Sequence, residues 1–140
     1  MSGGQIMEKM RLLLADDNPH MLQMLACLLS DEDRIVGTVP DGRALLTAAA
    51  ELRPDIVISD IDMPGVNGLE AASQLRELLP NTKVILMSGH DDSDHVARAF
   101  AAGAYAFVSK GQVGDLRNTF NEIIRNALAR PAFEELVGLA

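Results

Sequence analysis

The stretch Ile56-Val57-Ile58-Ser59-Asp60-Ile61-Asp62-Met63-Pro64-Gly65 passes from β-branched apolar residues straight into two carboxylates and a Pro-Gly turn. A short apolar run without polar alternation is the mark of a strand covered on both faces, and such strands belong to parallel sheets. Similar runs lie on either side of it: Leu12–Ala15 and Ile35–Val39 before, Val84–Met87 and Ala106–Val108 after. Between them the apolar spacing turns helical. The sets are Met21, Met24, Leu25, Leu28; Leu45, Ala48, Ala49, Leu52; and Leu69, Ala72, Leu75, Leu79. Val96, Ala99, Phe100 and then Leu116, Phe120, Ile123, Ala127 continue the series. Strands that alternate with helices predict a parallel α/β sheet with helices on both faces.

The punctuation agrees. Asn18-Pro19 offers an N-cap and a first-turn proline, while Pro54, Pro80-Asn81 and Pro131 predict the ends of the second, third and fifth helices. A chain of 140 residues suits one domain. Residues 1–9 read as a flexible N-terminal segment, 10–130 as the domain and 131–140 as a short amphipathic tail.

Composition narrows the function classes. Hydrophobic residues make up 48% and charged residues 23%, a globular balance. No apolar run approaches the ~18 residues of a membrane span, and Met1 to Arg11 lacks a secretory apolar stretch. No membrane association and a cytoplasmic location are expected. The net charge of −8 has the wrong sign for a phosphate backbone, so direct nucleic-acid binding is not expected. Cys27, set among Met24, Leu25 and Leu28, reads as a buried small apolar residue. His20, His90 and His95 lie on unrelated segments, and no histidine metal site is expected.

In open parallel sheets, ligands bind beyond the carboxyl ends of the strands. There the sequence places Asp16-Asp17, Asp60 with Asp62, Ser88 and Lys110. Each alone fits ordinary turn chemistry or a solvated lysine. Gathered into one crevice, they become specific. Clustered carboxylates repel unless a cation relieves them, and oxygen-only ligands with open positions suit Mg²⁺ and a phosphate oxygen. Lys110 adds a second positive charge, and Ser88 a hydrogen bond.

Asp16-Asp17, Asp60 followed by Met63-Pro64 and Gly68, Ser88 and Lys110 resemble the signature of response-regulator receiver domains of two-component systems. The resemblance runs from about Arg11 to Leu128. Ile35-Val36-Gly37 and Gly103-Ala104 resemble receivers that precede helix-turn-helix output domains. It implies a flavodoxin-like doubly wound (βα)5 sheet with strand order 2-1-3-4-5. Asp60 would be the phosphoacceptor, with Asp17, Asp60 and the backbone carbonyl of Asp62 holding Mg²⁺ and Asp16 assisting through a water. Ser88 and Lys110 would bind the phosphoryl oxygens, and Ser88 with Phe107 would form the switch. Tyr105 is read as packing. The Asp62 and His90 side chains would tune the lifetime of the phosphorylated state, because in the family these positions flank the path of the hydrolytic water.

The resemblance also implies a sensor histidine kinase or histidine phosphotransferase as partner, and homodimerisation through the face of the fourth and fifth helices and fifth strand. The chain would be a phosphoacceptor that promotes its own phosphorylation and dephosphorylation, not an enzyme with a separate substrate. Asp60-Ile61-Asp62 also fits a fragment of haloacid dehalogenase-type phosphatases, which place it on the first strand of a longer chain. A receiver-like module without phosphorylation would normally have lost the acids or the lysine, and all are present. On the first helix, Met21, Met24, Leu25 and Leu28 are expected to face the sheet. A second stripe of Leu22, Ala26 and Leu29 is expected to stay partly exposed as the kinase-docking seam.

Overall fold

The computed structural model describes residues 10–29, 34–90 and 92–139; the flexible segment expected at 1–9 lies outside them. In order, the elements are β1 (Arg11–Ala15), α1 (Pro19–Leu29), β2 (Arg34–Val39), α2 (Gly42–Leu52), β3 (Ile56–Asp60) and α3 (Gly68–Leu78). They continue with β4 (Lys83–Ser88), α4 (Ser93–Ala101), β5 (Ala106–Ser109), a tight helical turn over Lys110–Asp115, and α5 (Leu116–Leu139). The strands form one parallel sheet in the order β2-β1-β3-β4-β5. This is the flavodoxin-like order that the resemblance implies, and β3 is its central strand.

Strand periodicity divides the core into two layers. Leu12, Leu14, Ile56, Ile58, Ile85 and Met87 face α1 and α5, meeting Leu25, Leu29, Leu116, Phe120, Ile124 and Ala127. Leu13, Ala15, Val57, Val84 and Leu86 face the other way, toward Leu45, Ala49, Ala71, Ala72, Leu75 and Ala99 of α2, α3 and α4. Side-chain caps fix where the helices begin. Asp41 accepts from the backbone N–H of Ala44 on α2, and Asn67 and Glu70 form a reciprocal capping box on α3. Asn18 Oδ1 accepts from the backbone N–H groups of His20 and Met21 at the start of α1. Arg53, at φ 47°, closes α2 in a left-handed turn just before Pro54.

Several sequence expectations change. On α1 the buried residues are Leu25 and Leu29, so Leu29 belongs to the core and not to an exposed stripe. Leu22 and Ala26 are half-buried against that core, as are Met21, Met24 and Leu28. With apolar residues all round, spacing could not set the rotation of this helix; packing on β1 and β3 did. The same rotation leaves Cys27 exposed beside His20 and Gln23. On α4, Ala99 is buried but Phe100 is 48% exposed. Ile124, not Ile123, is the fully buried residue of that turn of α5. Finally, α5 does not stop at Pro131 but runs to Leu139. A proline removes one backbone hydrogen bond and strains the preceding turn, yet a helix propagating from a packed stem can continue past it.

Candidate functional site

The carboxyl ends of β1, β3 and β4 and the start of the Lys110 turn converge on one acidic pocket. Asp60 ends β3 and is only 4% exposed, and Asp16 and Ser88 are fully buried. The Lys110 ammonium bridges the two acids, 3.0 Å from Asp16 Oδ2 and 3.2 Å from Asp60 Oδ2. Asp17 is exposed at the rim. Asp16, Asp17 and Asp60 each offer a carboxylate oxygen, all within 4.8 Å of one another.

The chain holds these groups by short local bonds. The backbone N–H of Asn18 donates to Asp16 Oδ1 at 2.9 Å. The Ser59 hydroxyl donates to the backbone carbonyl of Asp60 at 2.9 Å, and the Ile61 N–H to the Met87 carbonyl at 2.9 Å, tying the end of β3 to β4. Gly68 lets α3 start against this strand end. A Cβ there would overlap the Asp60 carbonyl oxygen and lie 2.8 Å from Ile61 Cα, so any side chain would push the end of β3 aside. Gly42 plays the same part at α2, where a Cβ would overlap the carbonyl oxygen of Val66. Spacing alone gave no sign of Gly42.

Electrostatics follow from burial. Burial, then the neighbouring Asp16 charge, push Asp60 from 3.8 to about 6, against the opposing pull of Lys110 and the Asp62 backbone N–H. Burial alone would lower Lys110, but its contacts with Asp16 and Asp60 more than offset that and hold it above 10.5. Three carboxylates facing one ammonium leave the pocket short of positive charge. Asp16 Oδ2, fully enclosed, has the Lys110 contact but no well-aligned hydrogen bond. Unfilled oxygen lone pairs in a hard, all-oxygen donor set fit a small divalent cation such as Mg²⁺. In octahedral Mg²⁺ coordination, ligand oxygens lie about 3–4 Å apart, so the cluster would need to contract little.

Asp62 and His90 are exposed, and Phe107 is half-buried against the α2–α3–α4 layer. Tyr105 packs against the opposite layer, with the Lys83 ammonium 5.4 Å from its ring centroid. The Ser88 hydroxyl oxygen accepts from the backbone N–H of His90 at 2.9 Å. His90 and His95, which the sequence placed on unrelated segments, are in fact stacked, with ring centroids 5.1 Å apart. They lie five residues apart, one before and one inside the first turn of α4, so spacing carried no signal of the stack.

The sequence profile of response regulator receiver domains matches residues 12–121. The chain belongs to this family. As a receiver, it is 41% identical over 100 residues to the C4-dicarboxylate transport transcriptional regulatory protein DctD of Pseudomonas aeruginosa, covering 71% of this chain and 22% of that protein. It is 35% identical over 101 residues to the chemotaxis protein CheY of Thermotoga maritima, covering 71% of this chain and 84% of that one. The response regulator domain of Thermotoga maritima CheB superposes with a TM-score of 0.80 at 27% identity, over 87% of this chain and 98% of that one. The receiver spans 22% to 48% of the length of the first curated relatives it matches. Family membership leaves the haloacid dehalogenase-type reading without support. Among the described residues, no helix is long and apolar enough to cross a membrane.

Proposed function

We propose that this receiver accepts a phosphoryl group on Asp60 from a histidine kinase or histidine phosphotransferase, with Mg²⁺ bound, in the cytoplasm. The observation that carries this reading is the buried Asp60 carboxylate held 3.2 Å from Lys110 beside two further acids. In the transfer, the bond between phosphorus and the donor imidazole nitrogen breaks as a bond to an Asp60 carboxylate oxygen forms. With its pKa at about 6, Asp60 is mostly ionised at pH 7 and needs no separate base.

The transition state is loose and spreads negative charge over the equatorial oxygens, so catalysis is mostly positioning and neutralisation. Lys110 supplies a fixed positive charge, and the Ser88 hydroxyl can donate to a phosphoryl oxygen after turning from its contact with His90. Asp17, Asp60 and the Asp62 carbonyl would hold Mg²⁺, with Asp16 behind them. The ion would supply further neutralisation of the phosphoryl oxygens. The chain promotes its own phosphorylation and dephosphorylation and turns over no separate substrate.

Phosphorylation adds about −1.5 to −2 charges. Movement of Ser88 toward them frees space for half-buried Phe107 to rotate inward, which alters the face of α4, β5 and α5. That face is where two copies would pair. The test is intact mass after treatment with acetyl phosphate and Mg²⁺. The native chain should gain one phosphoryl group and Asp60→Asn none. Full labelling of the variant would overturn the assignment.

A further inference from the structure

Between β4 and α4 lies a side-chain assembly of which the receiver reading uses Ser88 and His90 but leaves Asp92 and His95 without a role. The His90 and His95 rings stack with their planes 24° from parallel and their centroids 5.1 Å apart. His95 is pinned from below, with its Nδ1 3.0 Å and 3.1 Å from the two carboxylate oxygens of Asp92. An ionised carboxylate only accepts, so Nδ1 carries the proton. This contact, after the backbone N–H of His95, holds the Asp92 carboxyl below its usual range. Asp92 is itself fixed, because the same Oδ1 caps α4 by accepting from the His95 N–H at 2.9 Å. At the other end of the assembly, the His90 N–H donates to the buried Ser88 hydroxyl oxygen. Contacts therefore run from the first turn of α4, through two stacked imidazoles and then the His90 backbone N–H, to the buried Ser88 hydroxyl.

We propose that His95 is a positioning residue: anchored by Asp92, it sets the orientation of the His90 ring, two residues beyond the buried Ser88, and so the lifetime of phospho-Asp60. This rests on Asp60 being the acceptor. The physical ground is rotamer freedom. His90 is exposed, and an exposed imidazole samples several rotamers unless a neighbour restricts it. Here the neighbour is an offset-stacked ring whose own rotation is blocked by two hydrogen-bonding oxygens. In hydrolysis a water oxygen bonds to phosphorus as the bond from phosphorus to the Asp60 carboxylate oxygen breaks. The products are orthophosphate and the free carboxylate, and the water proton leaves to phosphate or solvent. On the receiver reading His90 flanks the path of that water, and the orientation of its ring then sets how the water is admitted and held. His95 acts on this step only through His90, whereas phosphorylation depends on Asp60, Lys110 and the acids.

The experiment uses the full chain, loaded with acetyl phosphate and Mg²⁺ and then freed of donor. The phospho-Asp60 half-life is followed by intact mass, and the His90 ring protons by NMR. His95→Ala should change the half-life by about threefold or more and remove the ring-current shift of the His90 protons. His95→Phe keeps a stacking ring and should return both readouts to within about twofold of the native chain. Asp92→Asn retains the helix cap but loosens the anchor, and should move both readouts in the direction of His95→Ala by less. It carries the comparison alone should His95→Ala fail to fold. A His90 resonance that shifts while the half-life stays constant would overturn the proposal. So would a half-life change that His95→Phe does not restore. Absence of labelling in the native chain would instead remove the acceptor reading, and this inference with it.

Discussion

Around Asp60, which is itself 4% exposed, Asp16 and Ser88 have no exposed surface; further along the same side of the sheet, α4 buries only Ala99 among its described residues, and Phe100 stands 48% exposed. The neighbouring helix α3 presents a contrast, burying Ala71, Ala72 and Leu75 and sealing its first turn with a capping box. The difference is one of packing density within a single layer. Close-packed interiors resist displacement, whereas a helix held by one small residue can shift at little cost. A receiver needs both. For the proposed transfer, the acids and lysine must be in register before a phosphoryl group arrives, and something nearby must be free to respond to it.

The strongest way to break this comparison is to truncate one residue on each side. Leu75→Ala should cost about 3 kcal/mol, because it opens a cavity in a fully enclosed site. Phe100→Ala should cost under about 1 kcal/mol. Urea unfolding of the two variants reads the difference directly, and equal losses would show that α4 is as firmly packed as α3.

A second test sharpens the picture of a pocket assembled under electrostatic strain. The pKa of Asp60 rises from 3.8 to about 6 in the folded chain, so between these values the folded state binds more protons than the unfolded one. Without divalent cations, stability should therefore fall as pH rises from about 4 to 6 on account of this group, with the full penalty present above that range. Asp60→Asn should abolish that part of the pH dependence and stabilise the metal-free chain at pH 7 by on the order of 2 kcal/mol. Thermal unfolding at pH 5 and pH 7, in a chelator, measures it. A native chain whose pH profile matches that of the variant would contradict the strain.

The smallest effect concerns the opposite layer. On α1 the outward residues are His20, Gln23 and Cys27, flanked by half-buried Met24 and Leu28. If the kinase's helical bundle lies against this helix, Cys27→Arg should slow transfer from the cognate kinase about tenfold, or 1.4 kcal/mol. Labelling by acetyl phosphate should be unaffected, since the pocket is untouched. Equal slowing of both reactions would place the damage in the fold, and slowing of neither would move the docking surface elsewhere.

Legibility followed the physics of each element. The strands could be read because a run such as Ile56–Ser59 is apolar on both faces and bounded by turn residues. The pocket could be read because parallel strands deliver their carboxyl ends to one edge, so Asp16, Asp17, Asp60, Ser88 and Lys110 needed only the fold to meet. Where the sequence was ambiguous, tertiary contacts decided. Helix α1 has apolar residues on nearly every side, so its rotation, and with it the fates of Leu29 and Cys27, depended on which stripe best met Leu12 and Leu14 of β1. The close approaches at Gly42 and the stack of His90 on His95 join separate elements through backbone and loop geometry, to which hydrophobic spacing is blind. Pro131 misled for the opposite reason: a local breaker signal lost to a helix already propagating from a packed stem.

That helix has a mechanical consequence. Lys110 opens the tight turn that leads directly into α5, and α5 runs for 24 residues. At 1.5 Å of rise per residue it is a rod of about 36 Å rooted next to the lysine that grips the acids. Among the described residues, the core holds the rod as far as Ala127, and twelve more residues, about 18 Å, lie beyond it. By simple trigonometry, a bend of about 10° just past Ala127 would sweep the far end by about 3 Å, the width of a side chain, with the sheet undisturbed.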